Sequence, residues 1–376
     1  MQVPLTKPYF GDQEAEEVRR VLESGWVTQG PAVKRFEEGV ARILKLPHAI
    51  ATTSATAALY LALREFKLEK DDEVLVPSFT FPGVANAAIL LGSKPVFVDA
   101  NPRTYNAEAK HFEAFLTPKT RVIVAIHQFG LCADMPAIKK LCDENKIELI
   151  EDAACAFGST RHGVPVGHDG RFAALSFHPR KIITTGEGGI ITARDDTHVE
   201  SLRSHRSQGT TVSDLARHKA TSVFAPTFAE PGFNFRLSDI QAAVGCAQLD
   251  LLDEILEKRR AIAKNYTEAL KDHPWISPPL VPEGYGHTFQ SFCCVLKEGA
   301  PSSRDELVQG LREHNIGSTV GAVATHILPA FSAWSRGPLP NTEMLAERTF
   351  MLPMYPQMGS AEIQYVLETL NKLIKP

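Results

Sequence analysis

A lysine stands in the stretch Ser176-Phe177-His178-Pro179-Arg180-Lys181-Ile182-Ile183-Thr184-Thr185-Gly186-Glu187-Gly188-Gly189, between two runs that read as buried strands, Ala173–His178 and Gly189–Ala193. A loop lysine is ordinarily solvated. Here two isoleucines follow it, the Ser176 hydroxyl lies just upstream, and a glycine-rich turn closes the loop. A lysine kept in such a pocket can hold its amine uncharged and attack a carbonyl. Two further segments end apolar runs with polar chemistry. In Thr52-Thr53-Ser54-Ala55-Thr56 a short strand leads into a helix start, whose free N–H groups and positive dipole end suit a phosphate. In Ile150-Glu151-Asp152-Ala153-Ala154-Cys155 two successive acids point to opposite faces of a strand. One can face solvent and the other a cofactor, and the small residues after them let something flat approach. Taken singly, the Ser54–Thr56 and Asp152 features are more simply helix caps.

Taken together, and in this chain order, they supply the parts of a pyridoxal phosphate site. Lys181 would form the Schiff base. Asp152 would pair with the pyridinium nitrogen and keep it protonated, which makes the ring an electron sink. The helix start at Ala55 and Thr56, with Ser176, would hold the phosphate.

The elements that must position these residues are legible as alternating texture. Ala49–Thr52 reads as a short strand leading into an apolar helix to about Phe66, and from there runs rich in Val and Ile (Glu73–Pro77, Pro95–Val98, Arg121–Ile126, Ile147–Glu151) alternate with helical stretches (Pro82–Leu91, Ala107–Phe115, Met135–Asn145). Continuous apolar strands split by helices predict a mostly parallel sheet covered on both faces, with ligands bound beyond the carboxyl ends of its strands. Helices are expected at Asp12–Ser24, from about Ala32 to Leu44, and as one long helix from Asp239 to about His273 that bridges to a second unit. The remainder mixes a strand (Ser291–Leu296), a helix (Arg304–His314) opened by a Ser303/Glu306 capping box, and a final helix (Ala361–Ile374), with Pro274–Glu283 as a connector. The domain division expected is 1–245 for a large domain and 246–376 for a smaller α+β domain.

The chain resembles the nucleotide-sugar aminotransferases of the DegT/StrS family, within the aspartate aminotransferase superfamily of fold type I. The resemblance runs from Leu22-Glu23-Ser24-Gly25-Trp26-Val27-Thr28-Gln29-Gly30-Pro31 through Pro77-Ser78-Phe79-Thr80-Phe81, Glu151-Asp152-Ala153-Ala154, Ser176-Phe177-His178 to Lys181, and Gly232-Phe233-Asn234-Phe235-Arg236-Leu237-Ser238-Asp239, to Leu352-Pro353-Met354-Tyr355-Pro356. It implies an α/β fold with a large domain built on a mostly parallel seven-stranded sheet. It implies pyridoxal phosphate bound by Lys181, Asp152, Ala55, Thr56 and Ser176, with Phe81 stacked on the ring. Asn234 would reach the phosphate of the neighbouring subunit, so that a homodimer shares its active sites. Cys155 departs from the pattern, since Gln or His is common at that place. Thr28, Gln29, Glu187 and His326 fall in segments that line the sugar-nucleotide side in relatives. The implied reaction moves an amino group from glutamate to a keto sugar on a nucleotide diphosphate. The run from Ser176 to Gly189 is similar to relatives acting at C4 of 4-keto-6-deoxy sugars. C3 amination, or a cofactor-binding regulator of the same fold, are the alternatives. A sugar dehydratase of this fold would carry His in place of Lys181.

Composition narrows the setting. In 376 residues, 44 acidic against 40 basic side chains give a net charge of −4, which argues against nucleic acid or an anionic membrane as partner. The six cysteines show no CxxC pair and no metal-ligand spacing. No apolar run approaches a membrane span, and the first residues lack the apolar core of a signal peptide. A cytoplasmic setting is expected.

Overall fold

β-Branched residues crowd the short runs of the first half because both faces of their sheet are buried. In the computed structural model, which describes residues 1–212, 227–228 and 230–374, they are strands β1 (His48–Thr52), β2 (Glu73–Pro77), β3 (Lys94–Val98), β4 (Thr120–Ile126), β5 (Glu148–Asp152), β6 (Phe172–Ser176) and β7 (Gly189–Ala193). They form one seven-stranded sheet in the order β1-β7-β6-β5-β4-β2-β3. Only β7 runs against its neighbours; every other pairing in this sheet is parallel. The carboxyl ends of β1, β2, β4, β5 and β6 therefore share one edge.

Helices α1 (Asp12–Ser24), α2 (Pro31–Leu44), α3 (Ala55–Arg64), α4 (Gly83–Leu90), α5 (Ala109–Glu113), α6 (Met135–Asn145) and α7 (Val199–Arg206) accompany this sheet. One buried cluster joins Phe36, Phe157, Phe177, Ile183 and Leu237; another joins Ile50, Leu59, Val76, Ile126 and Ile191. In β6, Leu175 belongs to the first and Ala174 to the second, as alternation across a strand requires.

The expected long helix is two. α8 (Asp239–Asp250) ends at Leu251, and α9 (Leu252–Leu270) begins at once. The break is a tightening of the backbone, with Leu251 N–H donating to Gln248 O and Leu249 O. α9 gives Leu252, Ile255 and Leu256 to the large core, then Ile262, Ala263, Tyr266 and Leu270 to a second one. That second core lies on a four-stranded antiparallel sheet of Ile276–Ser277, β8 (Phe292–Leu296), β9 (Thr349–Leu352) and Thr319–Val320. α10 (Arg304–Glu313), α11 (Pro340–Arg348) and α12 (Ser360–Leu373) complete this half. The first residues return to it: Val3 is buried there and bridges to Ile316. A second link is the antiparallel pair of Phe79–Thr80 with Val323–Ala324, which ties the chain after β2 to the second half. Among the described residues no helix is long and apolar enough to cross a membrane.

Candidate active site

Sheet register assembles the first part of the site. Thr52 at the end of β1 faces Gly189 on β7, and Gly189 faces Ser176 at the end of β6. α3 starts directly above this row. Ser54 caps it, its hydroxyl accepting from Ala57 N–H at 3.1 Å. Ala58 N–H goes to Ser54 O. Among the described residues the amides of Ala55 and Thr56 have no acceptor, as expected of the first turn of a helix. A Cβ at Gly189 would stand 2.5 Å from Ala55 N and 2.3 Å from the Ser54 carbonyl carbon. Only glycine lets β7 pass this close, and the passage brings the Ser176 row under the helix end.

The lysine loop is pinned on both sides of Lys181. Ile182 and Ile183 are buried in the large core. Thr184 donates its hydroxyl to Phe177 O, and Thr185 N–H bonds the same carbonyl. Lys181 itself is half-buried. Its Nζ donates to Cys155 Sγ at 3.1 Å, so the departure from the family pattern lies against the amine.

Asp152 ends β5 and is buried. Burial raises its pKa, against the Ala154 N–H bond and the nearby charges of Lys181 and His127. Ala154 N–H takes Oδ1 at 3.0 Å, and among the described residues nothing donates to Oδ2. A buried carboxylate with a free oxygen and a raised pKa is short of a cationic partner. Glu151, the adjacent acid, does not face solvent as expected. It is 1% exposed and accepts from His127 Nε2 and from the amides of Gly167, Asp169 and Gly170. Burial would raise its pKa, but these donors outweigh it and hold the carboxyl below the ordinary range. Glu151 is thus the anchor of the 167–170 turn, and sequence alternation alone could not reveal the amides that wait on its face of the sheet.

Of the other expected residues, Phe81 stands at the start of α4 with 76% of its surface exposed, close to Thr56 across Gly83. An exposed ring beside free helix amides is placed to stack on a flat ligand. Asn234 is exposed and bridges to Ser207, and its neighbour Phe235 accepts from Thr53 N–H. It does not cap α8, since Ser238 does so with Gln241 in a capping box. Thr28 and Glu187 meet the start of α8, where Thr28 O accepts from Asp239 N–H and Glu187 O from Gln241 Nε2, while Gln29 O accepts from Trp26 Nε1. The Asp239 carboxylate in turn caps α2, taking the amides of Gly30, Ala32 and Val33. His326 is not displayed to the open site. It is 1% exposed, with Nδ1 on Ser78 Oγ at 2.8 Å and Nε2 on Glu343 Oε1 at 3.1 Å. Cys293 and Cys294 are fully buried in β8, which removes them from any chemistry in the cleft.

The site therefore joins an amine, a buried carboxylate and a helix end with free amides at one strand edge. Residues 8–371 match the DegT/DnrJ/EryC1/StrS aminotransferase family. The chain belongs to that family. It is 32% identical over 99% of its length, and 97% of the relative's, to the spore coat polysaccharide biosynthesis protein SpsC of Bacillus subtilis. Among solved structures it is similar to the aminotransferase TlmJ from Streptoalloteichus hindustanus, at 29% identity and a TM-score of 0.92 over 99% of each chain. It is also similar to Spr1654 from Streptococcus pneumoniae, described as a sugar aminotransferase and solved in PLP and PMP forms, at 26% identity and a TM-score of 0.91 over 99% of this chain and 98% of that one. DegT-family aminotransferases have the fold type I architecture and bind pyridoxal phosphate. The residues present fit that group: unpaired amides at α3 for a phosphate, an exposed aromatic for a ring face, and an underpaired carboxylate for a ring nitrogen.

Proposed function

We propose that the protein is a pyridoxal-phosphate-dependent sugar aminotransferase that transfers an amino group from glutamate to C4 of a 4-keto-6-deoxy hexose linked to a nucleotide diphosphate. The observation that carries the reading is the convergence of Lys181, Asp152 and the free α3 amides at one edge of the sheet. The sugar class is supported by the family and by the relatives' descriptions, and the C4 position by the run from Ser176 to Gly189. When bound, pyridoxal phosphate supplies an aldehyde that exchanges amines and a ring that accepts electrons.

The chain's residues divide the remaining work. The Ala55 and Thr56 amides and the Ser176 hydroxyl hold the phosphate at the positive end of α3. Phe81 covers one ring face. Asp152 keeps the proton on the ring nitrogen, where its buried carboxylate acts in a low-dielectric setting. Lys181 would be the attachment point, and its freed Nζ would take the proton from the donor's α-carbon as a base and give it up to the carbon on the cofactor's side of the nitrogen as an acid. Asn234 is read as reaching the phosphate of a second copy, making a homodimer with shared sites. Residues 1–245 form the cofactor domain and 246–376 the smaller one, with α9 spanning both cores. Glu187, Thr28 and Gln29 line the side where the nucleotide enters, and His326 acts there only through its buried links to Ser78 and Glu343.

Loaded protein should be incubated with glutamate and a panel of nucleotide-linked keto sugars, with the amino sugar and 2-oxoglutarate followed by mass spectrometry. A 4-amino product from a 4-keto-6-deoxy substrate is expected. A 3-amino product would move the reaction to C3, and 2-oxoglutarate formed with none of the sugars would remove the sugar reading.

A further inference from the structure

Three loops carry the site: the chain after β4, the turn after β5, and the lysine loop after β6. Residues 287–291 touch all three. Thr288 N–H donates to Gly130 O at 3.2 Å. Ser159, in the turn after Asp152, donates its hydroxyl to the same carbonyl at 2.7 Å and lies 3.3 Å from Thr288 Oγ1. Gln290 Nε2 donates to Arg180 O at 2.7 Å, the carbonyl of the peptide that ends at Lys181 N. The opposite side of that peptide is fixed too, with Lys181 N–H on His178 O at 2.8 Å.

The segment is itself held from below. Phe289 has a φ of 49°, a costly left-handed conformation for a bulky residue. Its N–H donates to His287 Nδ1 at 2.8 Å, and its ring stacks on that imidazole with centroids 4.1 Å apart. Burial, with Arg260 nearby, pushes His287 down to about 3, so the ring is the neutral acceptor this turn needs. Arg259 on α9 is 2% exposed, and its Nη1 donates to Phe289 O at 3.1 Å, to Gln290 O at 3.4 Å and to Met354 O at 3.4 Å. Among the described residues no carboxylate pairs with it. A buried guanidinium spent on carbonyls alone is expensive, and what it fixes is the backbone on either side of Gln290's Cα.

We infer that Gln290 is a positioning residue for the amine of Lys181, clamping the Arg180 carbonyl from a strained turn that Arg259 locks to α9. This rests on the reading of Lys181 as the cofactor-bearing lysine. Gln290 is half-buried, so replacing it removes the clamp without opening the core.

The test uses the full-length enzyme and the pyridoxal phosphate absorbance band of its lysine-bound form. Gln290→Ala removes the donor, Gln290→Glu keeps the size but presents an acceptor to the carbonyl, and Gln290→His restores an N–H. For each variant the rate of cofactor capture, the pH midpoint of the band and the melting temperature without cofactor are measured, with Lys181→Ala alongside. The Ala and Glu variants should melt as the wild type, capture cofactor about three- to tenfold more slowly, the scale of one net hydrogen bond, and shift the midpoint; His should recover most of the rate. Wild-type rate and midpoint in both variants, with the band abolished by Lys181→Ala, would overturn the clamp and leave the lysine reading standing. A capture defect that only follows a fall in melting temperature, and that His does not rescue, would also overturn it. A band that survives Lys181→Ala would instead show that the underlying lysine reading has failed.

Discussion

Lys181 Nζ lies 3.1 Å from Cys155 Sγ, and these side chains come from loops that follow adjacent parallel strands. The contact puts a thiol beside the amine proposed to carry the cofactor. Cys132, Cys142, Cys293 and Cys294 are buried, whereas Cys155 and Cys246 are half-buried.

Alkylation of the cofactor-free protein should therefore reach Cys155. The adduct fills the space beside Nζ, so the alkylated protein should fail to take up pyridoxal phosphate. Cys155→Ser protein, treated identically, should load normally. Peptide mass spectrometry locates the adduct and visible absorbance reads loading. Full loading of protein modified at Cys155 would show that the thiol lies off the amine's path.

Asp152→Asn should retain cofactor but lower turnover by at least about 100-fold, the scale of removing one preorganised charge partner from a buried site. An amide cannot hold the ring proton as a carboxylate does. Unchanged turnover would leave the ring nitrogen without a partner in this account, since Glu151 is already committed to His127 and to three backbone amides.

Glu151→Gln should cost about 3 kcal/mol of stability at pH 7, because buried donors would meet an amide that also donates. The folded carboxyl titrates below its ordinary 4.5, so the unfolded chain binds the proton more readily. The stabilisation is then full above pH 4.5 and is lost as the pH falls through the lower folded value. Denaturant melts of both proteins should show a gap at pH 7 that narrows below pH 4.5. A gap independent of pH would contradict the assignment.

Gly189→Ala places a carbon 2.5 Å from Ala55 N, so the α3 start or β7 must move. Cofactor retention under dialysis should drop at least about tenfold, with a stability loss of about 1–3 kcal/mol from overpacking. Retention equal to wild type would mean that the helix end is not the phosphate site.

Much of this was legible in the sequence because it is local. Strand β2 and helix α6 lie at the bounds expected of them, and the capping box at Ser303 is read from a three-residue spacing. The start of α3, Asp152 and Lys181 meet at one edge because parallel strands bring their carboxyl ends together whatever lies between. What stayed hidden depends on partners far apart in the chain. Gln290 and Arg180 are separated by 110 residues, and no local pattern joins them. His326 reads as an accessible histidine until Ser78 and Glu343 close on both ring nitrogens. The break at Leu251 leaves no Pro or Gly signal, since Leu suits a helix, and only the tightened Leu251 N–H bonds mark it.

Asn234 tests the shared site. Lys181→Ala and Asn234→Ala homodimers should each be weak. In a mixed dimer one site carries both changes and the other neither, so co-refolding at equal amounts should restore about a quarter of the wild-type activity by random pairing. No recovery in demonstrated heterodimers would assign Asn234 to its own chain, where Phe235 already bonds Thr53.

The central claim is that the Lys181 amine carries the exchange. Its most direct test is the visible absorbance of pyridoxal-phosphate-loaded protein during a glutamate titration, with Lys181→Ala in parallel. The wild-type band should decline as glutamate is added, with 2-oxoglutarate released in equal amount, and should return when a keto-sugar nucleotide follows. Lys181→Ala should lack the lysine-bound band and release no 2-oxoglutarate at a comparable rate. Turnover by Lys181→Ala near the wild-type rate would contradict the account.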